Sequence, residues 1–89
     1  MITDVDRAVI VDVAKKYQAG RVLLFGSSLS DRADVNDIDL GVEGVPPRDF
    51  FRFYADLLLR LSKPVDVVDL THRSAFTSLV RRDGVPVYG

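Results

Sequence analysis

Asp37 and Asp39 stand one residue apart in a stretch where apolar Ile38, Leu40 and Val42 alternate with Asp37, Asp39 and Gly41. Alternation of period two is a β-strand pattern, and on a strand residues i and i+2 project from the same face. Ile38, Leu40 and Val42 belong to a core, so the two carboxylates belong to the open side. Carboxylates placed this close repel each other if both are dry and unpaired. A divalent cation between them removes that penalty, and an oxygen-only donor set suits Mg2+ or Mn2+. Asp66 has the same parity between Val65 and Val67. If its strand lies beside that of Asp37 and Asp39, three carboxylates share one face of a sheet, which is a two-metal arrangement.

A second group could hold phosphate. Gly26-Ser27 follows the apolar run Val22 to Phe25. Glycine lets backbone approach a ligand closely. A helical turn beginning there would aim free N–H groups at an anion, and the Ser27 hydroxyl adds a donor. Phosphate contact at one end and metal at the other is what binding a nucleoside triphosphate requires. Each piece has a plain alternative: a lone Asp-x-Asp is usually a solvated strand face, and a lone Gly-Ser an ordinary turn. The ordered combination is what favours chemistry.

These residues need elements to position them. Thr3 followed by Asp6 resembles a capping box, with Asp where Glu is usual. Val5, Val9, Val13 and Tyr17 recur at helical spacing, and Gly20 stops the pattern, so a helix is expected over 4–19. Arg21 to Phe25 reads as a buried strand, 26–28 as a turn, and 28–35 as a polar segment with room for one short helical turn. The Asp37–Glu43 strand follows. Pro47 fits a helix start, and Phe50, Tyr54, Leu57 and Leu61 recur at helical spacing with Phe51 and Leu58 beside them, giving a helix over 48–62. Val65 to Leu70 is a third strand. Thr71 is the expected N-cap of a last helix over 72–83, Gly84 ends it, and Val85 to Tyr88 forms a short terminal strand. Alternating helices and strands point to an α/β domain with a small mixed sheet.

Composition bounds the rest. Eighty-nine residues make one domain, 1–89. The 47% hydrophobic and 28% charged residues are an ordinary globular balance, and a net charge of −1 supplies no overall basic field for nucleic acid. The absence of cysteine excludes disulfides, thiolate nucleophiles and zinc–cysteine sites. Charged residues through the first helix exclude a signal-peptide core, and no apolar run could span a bilayer. The expectation is a soluble, cytoplasmic protein that engages no membrane.

The motif Leu24-Phe25-Gly26-Ser27, nine residues, then Asp37-Ile38-Asp39-Leu40 resembles that of the nucleotidyltransferase superfamily that includes DNA polymerase beta and kanamycin nucleotidyltransferase. The resemblance covers nearly the whole chain, and the stretch Leu79 to Tyr88 is similar to the tail of the short members. By size the chain resembles the minimal nucleotidyltransferases (MNT), many of them antitoxins paired with a helical HEPN RNase toxin. The resemblance implies the polymerase beta-like nucleotidyltransferase fold, with a small mixed β-sheet and helices packed on one side. It implies transfer of AMP from ATP to a tyrosine of the partner toxin, with two Mg2+ ions, or Mn2+ in their place. Gly26 and Ser27 would then grip the triphosphate, and Asp37 and Asp39 would ligate metal. Asp66, as third carboxylate, would assist metal binding and deprotonate the acceptor hydroxyl. Many short members carry basic residues soon after Gly-Ser. Here Ser28, Leu29, Ser30 and Asp31 follow, and the first basic residue is Arg32, which would stand in on the triphosphate. Two other readings are a non-catalytic antitoxin that masks the toxin by contact, and a nucleotidyltransferase acting on a small molecule or RNA.

Other residues have plainer roles. His72, the only histidine, is expected as an exposed residue in the first turn of the last helix. Asp69, of opposite parity to Asp66, reads as a strand-end or capping carboxylate. Arg81 and Arg82 sit where a helix C-terminus favours positive charge. Arg73 could join them in a basic patch, but RNA binding by these alone is not expected. Of Phe50, Phe51, Phe53 and Tyr54, most should be core, with Phe53 off the main stripe and exposed for a partner.

Overall fold

The computed structural model describes residues 2–29 and 37–89, leaving aside the side chains of Ser27 and Ser28. Its elements are α1 (Asp4–Lys16), β1 (Arg21–Phe25), a 3-10 turn (Gly26–Leu29), β2 (Ile38–Glu43), α2 (Pro47–Arg60), β3 (Val65–Asp69), α3 (Ala75–Asp83) and β4 (Val85–Tyr88). The sheet order is β3-β2-β1-β4. β1 runs antiparallel to both β2 and β4, and β2 runs parallel to β3. A parallel pair needs a crossover connection, which α2 supplies.

Alternation along the strands sorts the sheet into two faces. Val22, Leu24, Ile38, Leu40, Val42, Val65 and Val67 pack with Ile10, Val13 and Ala14 of α1 and Phe53 and Leu57 of α2 in the main core. Leu23 lies on the other face, in a smaller cluster with Leu70 and Val80. Gly41 makes room for it: a Cβ there would stand 2.9 Å from a Leu70 methyl and 3.0 Å from one of Val80. The small mixed α/β sheet is as expected. The helices are not all on one side, however: α1 and α2 cover one face, while α3 leans on the other through Val80. Among the described residues no helix is long and apolar enough to cross a membrane.

The two long helices are also held by polar contacts. Lys16 Nζ and Tyr17 Oη both donate to Asp56 Oδ2, at 2.9 and 2.8 Å, and Arg60 pairs with Asp12 at 2.8 Å. Asp6 is 2% exposed and accepts from the Ser62 backbone N–H at 3.0 Å and from the Ser62 hydroxyl. Half of the expected capping box is therefore present. The Thr3 hydroxyl accepts from Asp6 N–H at 3.1 Å, but the Asp6 carboxylate is committed to Ser62 across the helix pair.

Three local expectations need correction. On α2, Phe53 is fully buried and Phe51 is 84% exposed, so the outward aromatic is Phe51 and not Phe53. The last helix begins at Ala75, three residues later than 72. Ser74 and Thr77 form its capping box, and Thr71 instead gives its N–H and hydroxyl to Asp69. This bears out Asp69 as a local capping carboxylate. His72 is exposed, as expected, but lies before the helix; its carbonyl accepts from the Thr77 hydroxyl at 2.7 Å.

Candidate functional site

The site is built where β1 ends, β2 begins and β3 begins. In the β1–β2 pairing Phe25 stands opposite Asp39, and in the parallel β2–β3 pairing Asp39 stands beside Asp66. Neighbouring strands are about 4.8 Å apart. Asp39 and Asp66 therefore leave the sheet side by side on the face opposite the main core, the face of Leu23 and Phe25. Asp37 immediately precedes β2 and is exposed.

Gly26 fixes the turn side of the site. Its φ is +65°, a left-handed conformation that costs an L side chain energy, and a Cβ built there would stand 2.6 Å from Asp39 Oδ2. The turn backbone thus lies directly against the Asp39 carboxylate. Absence of a side chain at position 26 is a condition of that contact, beyond the conformational need. The 3-10 turn starts at this glycine. The Ser27 hydroxyl and Arg32, both assigned to the triphosphate from sequence, lie outside the described residues.

Asp66 has a partner the sequence reading missed. The Tyr54 hydroxyl donates to Asp66 Oδ1 at 3.2 Å, with the Val65 carbonyl also 3.2 Å away. Tyr54 comes from α2, on the far side of the sheet, and reaches around the edge strand β3 to do this. Burial pushes its phenol above the ordinary value, the neighbouring Asp66 adds to the rise, and a hydrogen bond from the Val67 backbone opposes it. Tyr54 was legible only as a helical-stripe residue. Its reach to Asp66 depends on β3 being the edge strand, which spacing along the chain does not encode.

The backbone thus brings Asp39 and Asp66 together. Among the described residues, no three acidic or histidine side chains are gathered closely enough to hold a metal ion as they stand. The chemistry of the donors nevertheless fits a hard divalent cation: carboxylate oxygens only, on one sheet face, with no competing sulfur.

No family model matches the chain, and no curated protein does. Solved structures do. A chain of the crystal structure of the toxin–antitoxin MntA-HepT superposes with a TM-score of 0.72 at 20% identity, over 98% of this chain and 73% of that one. A chain of a toxin–antitoxin crystal structure with AMP-PNP gives 0.71 at 23% identity, over 93% of this chain and 73% of that one. Likeness over nearly the whole chain shows that this four-stranded mixed sheet with its helices is the fold of those toxin–antitoxin chains.

Proposed function

We propose that this protein is a metal-dependent nucleotidyltransferase that serves as the antitoxin of a HEPN/MNT pair, moving AMP from ATP onto a tyrosine of the partner toxin. The observation that carries this reading is the register that sets Asp39 beside Asp66 while the Gly26 backbone lies against the Asp39 carboxylate. A phosphate-facing turn and paired carboxylates at one sheet end are what nucleotidyl transfer requires. The structural neighbours support the biological setting: one is the toxin–antitoxin MntA-HepT, another a toxin–antitoxin with AMP-PNP, an ATP analogue.

In this reading Asp37, Asp39 and Asp66 hold Mg2+. The metal, when bound, neutralises charge on the α-phosphate and on the leaving pyrophosphate. The turn at Gly26-Ser27 holds the triphosphate, with Arg32 as the added positive charge. Asp66 would accept the proton of the attacking tyrosine hydroxyl, and that hydroxyl oxygen bonds to the α-phosphorus as the bond to pyrophosphate breaks.

A second reading, an antitoxin that masks its toxin by contact alone, has one observation in its favour: Asp66 is engaged by the Tyr54 hydroxyl. Intact-mass measurement on a HEPN partner incubated with this protein, ATP and Mg2+ separates the two. The expected outcome is a gain of one or more AMP units with wild type and none with Asp39→Ala, which should fold normally. An unmodified partner that still forms a stable complex with the wild type would replace catalysis with masking.

A further inference from the structure

We propose that Phe25 and Phe76 form a stacking platform for the base of the bound nucleotide, best suited to a purine. The inference rests on the nucleotide reading above and adds a subsite to it. Phe25 ends β1, directly before Gly26, and its register partner is Asp39. Residues opposed across antiparallel strands project to the same face with their Cβ atoms about 4.5–5.5 Å apart. The Phe25 ring therefore leaves the sheet beside the carboxylate and the phosphate turn.

Phe76 reaches the same place from α3. After β3 the chain turns back across this face, anchored by fully buried Leu70, and starts α3 at Ala75. The Phe76 and Phe25 rings meet edge to face, with centroids 5.8 Å apart and planes at 75°. α3 packs on the sheet through Val80 with Leu70 and Leu23, Phe25 packs against that cluster, and Phe76 lies on the outer side of Phe25. Phe76 is left 51% exposed beside Phe25. A single exposed apolar residue is common and means little. An exposed aromatic paired with the residue that precedes the phosphate turn is placed where a nucleotide held at Gly26 can lay its base. Aromatic stacking accepts any base and favours the larger ring systems.

The test is equilibrium titration of the full chain with ATP and, separately, with inorganic tripolyphosphate, both in Mg2+. Tripolyphosphate probes the turn and the carboxylates without a base. Phe76→Ala should weaken ATP binding roughly tenfold, as loss of one base stack does, and leave tripolyphosphate binding as in the wild type. Phe76→Tyr should restore ATP binding. Phe51→Ala, which removes an exposed aromatic from the helix on the opposite face, should change neither. ATP binding unaltered by Phe76→Ala overturns the platform, and so does a parallel loss of ATP and tripolyphosphate. If the wild type binds neither ligand, the nucleotide reading falls along with the platform; if it binds both and Phe76→Ala changes nothing, the platform alone falls.

Discussion

Gly26→Ala is the substitution whose consequences the structure defines most closely. Two penalties act at that position. The backbone sits at φ +65°, where an L residue is disfavoured by about 1–2 kcal/mol. The new Cβ would also lie 2.6 Å from Asp39 Oδ2, well inside contact distance, so one of the two must move. A carboxylate turns more easily than a backbone, and Asp39 is the group expected to yield. For a domain of this size each kcal/mol is roughly 4–8 °C in Tm, so the variant should melt about 5–15 °C lower. It should also lose nucleotidyl transfer by more than the stability loss explains. Gly20→Ala is the control. Gly20 lies outside the left-handed region, and a Cβ there would meet the Glu43 carbonyl at an ordinary 3.5 Å, so melting and transfer should stay near wild type. Thermal melts by circular dichroism, with transfer assayed well below the lower Tm, measure both effects. A Gly26→Ala protein that melts with the wild type, or that loses stability while keeping full transfer, would refute the reasoning.

Other expectations follow from the packing of α1 and α2. Phe53→Ser should cost about 3–5 kcal/mol, because its ring is fully buried in the main core, whereas Phe51→Ser should leave the melt nearly unchanged and improve solubility. Asp6→Ala removes a buried carboxylate that accepts twice from Ser62, and should destabilise by about 1.5–3 kcal/mol in urea titration, with Asp6→Asn intermediate because it keeps one acceptor. Hydrogen bonds from Lys16 and then Tyr17 hold the Asp56 carboxyl below its ordinary value of 3.8. A lowered folded-state value stabilises above the ordinary carboxylate pKa and fades as pH falls through the lowered one. The stability difference between wild type and Asp56→Asn, measured by chemical denaturation, should therefore be constant at neutral pH and close below about pH 4.

The parity of Asp39 and Asp66 was legible because buried valines, leucines and isoleucine fix which side of each strand faces the core. Their adjacency was not. It depends on β3 pairing parallel with β2 through the α2 crossover, a long-range choice. The α2 stripe of Phe50, Tyr54, Leu57 and Leu61 does face the core, and only Phe53 was misread, for a local reason. Phe50, Phe51, Phe53 and Tyr54 crowd one and a half turns, so more than one helical stripe can be drawn through them, and the sheet selects the one through Phe53 and Leu57. The start of α3 was misplaced because Thr71 and Ser74 are both acceptable caps; Thr71 is taken by Asp69, and Ser74 finds its reciprocal partner in Thr77. The second apolar cluster, which places α3 on the site's face, left only Gly41 as a trace in the sequence.

Tyr54 has a consequence apart from catalysis. Along β3 the backbone groups of residues 64, 66 and 68 face β2, so those of Val65 and Val67 point outward from the sheet edge. The Tyr54 hydroxyl lies 3.2 Å from the Val65 carbonyl, one of the groups an added strand would use first. At the opposite edge, β4 has four residues with Pro86 among them, which cannot donate to a new ladder. Each border of the sheet is thus interrupted by a single residue, a phenol on one side and an imide on the other. Each hinders growth into cross-β assemblies at its own edge.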